Sequence, residues 1–119
     1  MLHPDISHHH PVTNWDKFLN QCDFVISKAT EGTSYVDSTL KTFIKQCEAH
    51  KKPYWLYVFL DKGNELKQAQ FMVKTCKPLV GKYFVGYCLD VEAKNEPSNV
   101  REALDYIKKE SSKTMIYTM

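Results

Sequence analysis

The residues best equipped for chemistry stand together in Leu89-Asp90-Val91-Glu92. There an apolar run, Tyr83 to Val91, ends in two carboxylates. Side chains two apart on a strand share a face, with Cα atoms about 6.5 Å apart at ~3.3 Å rise per residue. Asp90 and Glu92 are therefore expected to point the same way at the C-terminal end of a parallel strand, where ligands bind in α/β folds. Two close carboxylates raise each other's cost of ionisation, so one can keep a proton as general acid while the other stays charged. That is the basic equipment of a glycoside hydrolase. The plain alternative is a solvated strand end with two ordinary surface acids.

Asp5 is the second candidate. Asp5-Ile6-Ser7-His8 puts a carboxylate and an imidazole near the end of a first strand, although an Asp there also serves as a turn or cap residue. The run His8-His9-His10 lacks the separated ligand spacing of a zinc site. Thr30-Glu31-Gly32-Thr33-Ser34-Tyr35 reads as a polar, glycine-containing loop after the second strand, at the same sheet end. Its Tyr35, with Trp55, Tyr57 and Phe59, could stack on the C–H faces of sugar rings; plain core packing is the alternative for the last three. The chain has no GxGxxG, GxxxxGK[ST] or GxSxG pattern, which disfavours dinucleotide, P-loop and serine-hydrolase chemistry.

These groups need a scaffold, and the sequence supplies an alternating one. Strands are expected at Leu2 to Ile6, Asp23 to Ala29, Tyr54 to Leu60, Tyr83 to Val91 and Lys113 to Met119. Between them lie Asn14 to Asn20, anchored by Trp15, Phe18 and Leu19, and three amphipathic helices. Ser38 to His50 carries the stripe Leu40, Phe43, Ile44, Cys47. Asn64 to Cys76, with Asn64 as N-cap, carries Leu66, Ala69, Val73, Cys76. Ser98 to Glu110, capped by Ser98, carries Val100, Ala103, Leu104, Ile107. Strict β-α alternation predicts a parallel sheet with right-handed crossovers. The last strand has nothing after it. It is either the fifth strand of an open sheet or the point where a longer α/β domain is cut.

The chain has 119 residues with formal net charge +2, 43% hydrophobic and 25% charged, the balance of a globular domain rather than a disordered one. Dispersed lysines at +2 give no nucleic-acid signature. No apolar run reaches the ~18 to 20 residues that cross a bilayer, and the start lacks the pattern of a secretory signal. Cys22, Cys47, Cys76 and Cys88 form no CxxC and read as free, buried thiols of a chain made in a reducing cytosol.

Three stretches together, Asp5-Ile6-Ser7-His8-His9, Phe24-Val25-Ile26-Ser27-Lys28-Ala29-Thr30-Glu31-Gly32-Thr33-Ser34-Tyr35-Val36-Asp37 and Leu89-Asp90-Val91-Glu92, resemble glycoside hydrolase family 25, the N-acetylmuramidases (lysozymes) of bacteria and their phages. The resemblance runs over essentially the whole chain. It implies an irregular parallel (β/α) barrel of the TIM-like type with its active site at the C-terminal strand ends. It also implies hydrolysis of the β-1,4 bond between N-acetylmuramic acid and N-acetylglucosamine in peptidoglycan. Carried over motif by motif, Glu92 is the general acid/base, and Asp90 orients the substrate's acetamido group or an oxazolinium-like intermediate. Asp5 lines the same pocket; Glu31, Tyr35 and Tyr57 bind substrate. No metal or cofactor is implied, and the partners are peptidoglycan glycan strands, with no nucleic acid or membrane and a monomer at full length. A chain without a signal would be made in the cytoplasm and act on the bacterial wall, as a phage endolysin does.

The chain also departs from the family. Tyr57-Val58-Phe59 stands where many members have Tyr-His-Phe, and His10-Pro11 replaces a glycine-bearing loop. About five strands of the usual eight are present, so residues 1–119 read as the N-terminal portion of one catalytic domain, with a sticky edge at Met115 to Met119. Two alternatives stand beside the muramidase: a truncated, catalytically incomplete wall-binding fragment, and a flavodoxin-like binding protein with a self-sufficient open sheet.

Overall fold

Apolar runs of strand length and apolar stripes of helical spacing alternate along the chain, and they fold accordingly. The computed structural model describes residues 5–6, 14–92, 94–110 and 113–117. Its elements are β1 (Asp5–Ile6), α1 (Trp15–Asn20), β2 (Val25–Glu31), β3 (Tyr35–Val36), α2 (Leu40–Ala49), β4 (Tyr54–Phe59), α3 (Glu65–Cys76), β5 (Phe84–Asp90), α4 (Pro97–Glu110) and β6 (Lys113–Tyr117). The fold is mixed α/β around a mostly parallel sheet in the order β1-β2-β4-β5-β6, and only the small β3 pairs antiparallel, against β2. The sheet is open: among the described residues β1 pairs only with β2, and β6 only with β5.

The strand order follows the chain without reversal. A doubly wound sheet reverses at a switch point, so the flavodoxin-like alternative is overturned. Strand parity tells the same story. Tyr54, Leu56 and Val58 of β4, with Tyr87 and Leu89 of β5, join one core with buried residues of all four helices. The opposite parity forms a separate small cluster of Ile26, Tyr57 and Cys88, packed by Trp55 and holding no helical residue. All four helices therefore cover one face, and β4 is apolar on both parities because each parity meets a different apolar cluster.

Several local expectations need correction. Thr30 to Tyr35 is not simply a loop: β2 runs on to Glu31, and β3 returns from it with Glu31 opposite Tyr35. Gly32, at φ +62°, makes the reversal in a left-handed conformation that costs glycine little. Asn64 precedes α3 but is itself left-handed (φ 54°, ψ 33°), and its side chain makes no capping bond; asparagine tolerates that region. The buried stripe of α3 is Glu65, Gln68, Ala69, Met72, Val73 and Cys76, and Leu66 is only half-buried. Helix α4 starts at Pro97, where a missing N–H costs nothing, so Ser98 sits inside the first turn rather than capping it. The α2 stripe is buried as expected, and all four cysteines are free and buried.

At the N-terminal strand ends, Tyr54 Oη donates to Glu48 Oε2 at 2.7 Å and the Tyr83 N–H donates to the same oxygen at 3.1 Å. This ties α2 to β4 and to the start of β5, leaving the opposite rim for chemistry.

Candidate active site

Register fixes which residues meet at the C-terminal rim. Glu31 pairs with Phe59, Phe59 with Asp90, and Asp90 with Tyr117, so four parallel strands end in one row. Tyr35 extends that row through its pairing with Glu31. Asp90 is 0% exposed, which rules out an ordinary solvated strand end. Its face is the one carrying Cys88 and Gly86, opposite the helices, because Tyr87 and Leu89 occupy the covered parity.

Glu92 lies two residues beyond Asp90, half-buried and past the end of β5. The pleat that was expected to align the two carboxylates thus stops at Asp90. What holds Glu92 instead is its backbone: its N–H donates to Asn95 Oδ1 at 2.8 Å.

On β2 the register steps by two residues against one between Lys28 and Thr30, leaving Ala29 as the extra residue of a β-bulge. In a regular strand residues three apart face opposite sides. The bulge restores Lys28 and Glu31 to one side, where their side chains form an ion pair. The Lys28 ammonium also lies 5.3 Å from the Tyr35 ring centre and 5.6 Å from that of Phe59. Lys94 approaches Phe59 to 5.2 Å and Asp61 Oδ1 to 3.8 Å. Phe59 thus has one ammonium from strand β2 and another from the loop after β5 within cation–π range. Beside this cluster opens a groove of about 620 Å³ lined by Lys28, Glu31, Tyr35, Asp61, Lys62 and Gln68, among others.

The proposed residues therefore divide. Glu31 and Tyr35 line the groove, and Asp90 shares their rim row. Tyr57 is 4% exposed within the small cluster and does not line that groove. Asp5 pairs with Ile26, level with Trp55 and Gly86. In the flat register this is four residues short of Asp90, about 13 Å along a strand. His8, His9, His10 and Pro11 lie outside the described residues. Asp37, the last residue of the second-strand motif, is buried, and its Oδ1 accepts from the Thr39 N–H at 2.9 Å and Thr39 Oγ1 at 2.6 Å; it shapes the approach to α2.

Sequence reasoning missed Lys28, Asp61, Gln68 and Asn95. Lys28 was visible as a charge inside an apolar strand. Burial pushes the Cys88 thiol, two residues before Asp90, up to about 12, so it is no nucleophile at neutral pH. Among the described residues no group of three His, Cys, Asp or Glu side chains is arranged to hold a metal, and no helix is long and apolar enough to cross a membrane.

A family model for glycosyl hydrolases family 25 matches residues 4–119. The chain belongs to glycosyl hydrolase family 25. Solved structures resemble this family 25 chain in fold. The catalytic domain of endolysin ply40, from bacteriophage P40 of Listeria monocytogenes, has TM-score 0.82 at 22% identity over 96% of this chain and 61% of that one. A GH25 lysozyme from Aspergillus fumigatus has TM-score 0.77 at 25% identity, covering 96% of this chain and 63% of that one. The modular autolysin LytC of Streptococcus pneumoniae, solved with a synthetic peptidoglycan ligand, has TM-score 0.78 at 19% identity, covering 96% of this chain and 31% of that one. The chain thus spans less than two thirds of each of these structures. No curated protein matches it significantly.

Proposed function

We propose that this chain is the N-terminal portion of a family 25 catalytic domain, and that the domain is a muramidase. Its substrate is the β-1,4 bond between N-acetylmuramic acid and N-acetylglucosamine in the glycan strands of bacterial peptidoglycan. The observation that carries this reading is the rim row of Glu31, Phe59 and Asp90, with Glu92 half-buried two residues beyond.

A strand order without reversal and helices on a single face support reading this sheet as part of the wall of a (β/α) barrel, about five of the usual eight strands. Barrel closure also accounts for Asp5. A shear of about eight over eight strands staggers each step by about one residue. The three steps from β1 to β5 offset three of the four residues separating Asp5 from Asp90, which brings Asp5 toward the rim.

In the chemistry that follows, the Glu92 carboxyl gives its proton to the glycosidic oxygen as the C1–O bond breaks. The substrate's own 2-acetamido oxygen closes on C1 from the face opposite the leaving group; the Glu92 carboxylate then takes a proton from the water that attacks C1 and opens the ring, and the two inversions together retain configuration. The Asp90 carboxylate stabilises the cationic acetamido group. Since Asp90 is wholly enclosed, its charge acts through low-dielectric surroundings. Glu31 and Tyr35 hold sugar in the adjoining groove. The enzyme acts at the cell wall, as a monomer once its domain is complete.

Glu92→Gln tests the assignment. Clearing of a peptidoglycan suspension is expected to fall by about 10²- to 10⁴-fold with the melting temperature unchanged; clearing at the wild-type rate overturns it. The assay compares the 119-residue chain with one extended to the length of the relatives. Lysis by the extended chain alone assigns the shorter one to the catalytically incomplete, wall-binding reading, which its 61% to 63% coverage of two relatives favours.

A further inference from the structure

Three polar side chains are buried where an apolar core is expected: Glu65 at 1%, Gln68 at 2% and Asn95 at 7% exposure. They form one network under the rim. Gln68 Oε1 accepts from the Asp61 N–H at 2.8 Å, and its Nε2 donates to the carbonyls of Asp61 at 3.0 Å and Gly63 at 2.6 Å. Gln68 thereby fixes the β4–α3 turn. Asn95 bridges that turn to the loop bearing Glu92. Its Nδ2 is shared among the carbonyls of Leu60 (3.3 Å) and Asp61 (3.1 Å) and Glu65 Oε2 (3.1 Å). Its Oδ1 accepts from the Glu92 N–H.

We propose that Asn95 is a positioning residue for Glu92, its buried amide clamping the strand-end acid to the β4–α3 turn. The inference rests on the reading of Glu92 as the acid. Past Asp90 no sheet ladder continues among the described residues. The Glu92 carbonyl accepts from the Asn95 N–H at 3.0 Å, a bond local to that loop, so it is the side-chain amide that ties the acid's backbone to the β4–α3 turn. An asparagine suits the position because it offers an acceptor to an N–H and donors to carbonyls at once. Glu65, whose Oε1 has no hydrogen-bond partner among the described residues, requires a donor at Asn95 and disfavours a carboxylate there.

The test uses amide hydrogen exchange on the 119-residue chain, with Leu89 in β5 as internal reference. In Asn95→Ala the Glu92 amide is expected to exchange at least tenfold faster while Leu89 keeps its protection; unchanged exchange at Glu92 overturns the clamp. If Leu89 also loses protection, Asn95→Asp decides. That variant keeps the acceptor but sets a second carboxyl against Glu65, with Asp61, Glu92, Lys94 and Glu96 the neighbouring ionisable residues. One proton between the two carboxyls restores the bridge. Glu92 protection, corrected for intrinsic rates, should therefore be at least tenfold greater at pH 5 than at pH 8, and pH-independent exchange overturns the proposal. In the extended enzyme, Asn95→Ala is expected to lower kcat by 10- to 100-fold with KM within twofold, and an unchanged kcat counts against positioning. Failure of the acid assignment looks different: Glu92→Gln would retain wild-type lysis whatever the exchange data show.

Discussion

Cys88 and Asp90 share one face of β5 two residues apart, and the same enclosure acts on both. For the thiols it ensures silence. Burial pushes Cys47, Cys76 and Cys88 up to about 12, and raises Cys22 as well. A thiol at about 12 is only about one part in 10⁴ thiolate at pH 8. An aromatic disulfide reagent at pH 8 is therefore expected to label the cysteines only as fast as the protein opens, and immediate labelling of one in the folded state would contradict its burial. At the turn, Gly32→Ala places a Cβ 3.1 Å from Asp61 Oδ2 at φ +62°. Asp61 is partly exposed and can shift, so the left-handed backbone dominates; urea denaturation is expected to read a loss of about 1–2 kcal/mol. Asp90 and Glu92 were legible in the sequence because charge at the end of an apolar strand is conspicuous. Asn95, Glu65 and Gln68 were not, since polar residues in a loop and on a helix ordinarily face water.

The helices were legible where their stripes were purely apolar. Helix α2 buries Leu40, Phe43, Ile44 and Cys47 as its periodicity demands. Helix α3 follows the same spacing, but its first two stripe positions are Glu65 and Gln68, so hydrophobicity alone rotated the predicted face toward Leu66. The β3 strand escaped notice because two exposed residues, Tyr35 and Val36, give no alternation to read. Another inter-element contact was invisible for the same long-range reason: His50 at the end of α2 pairs through Nε2 with Asp16 of α1, and its Nδ1 faces the Gln46 carbonyl at 2.8 Å. Two oxygen partners favour the doubly protonated ring. The bond to Asp16 foremost, then that to Gln46, raises the His50 pKa above its ordinary 6.5. The stabilisation is full below that ordinary value and is lost as pH rises through the raised one. Asp16→Asn should flatten this dependence: between pH 5.5 and 8.5 the wild-type melting temperature falls further than the variant's, and parallel curves would exclude the His50–Asp16 pair as its source.

At the scale of the molecule, strict alternation in the sequence was enough for a parallel sheet, while the single covered face needed the observed strand order. An open parallel sheet leaves a line of backbone donors and acceptors along β6. Sedimentation of the 119-residue chain is expected to show association that grows with concentration and disappears when further strands are added, whereas a concentration-independent monomer would argue that this edge is otherwise protected. The supernumerary Ala29 acts on the same scale. Because it advances β2 by one place relative to β4, every residue after it is dealt to the opposite side from the one an unbroken zigzag would assign. Drawing Ala29 into the ladder opposite Val58 would turn Glu31 under the helical layer and send Thr30 to the other face, parting the lysine from its acid without altering either, whereas excising it would leave Lys28 opposite Tyr57 and Glu31 opposite Phe59. The pairing thus depends on the alanine staying outside the ladder, not on the length of the motif.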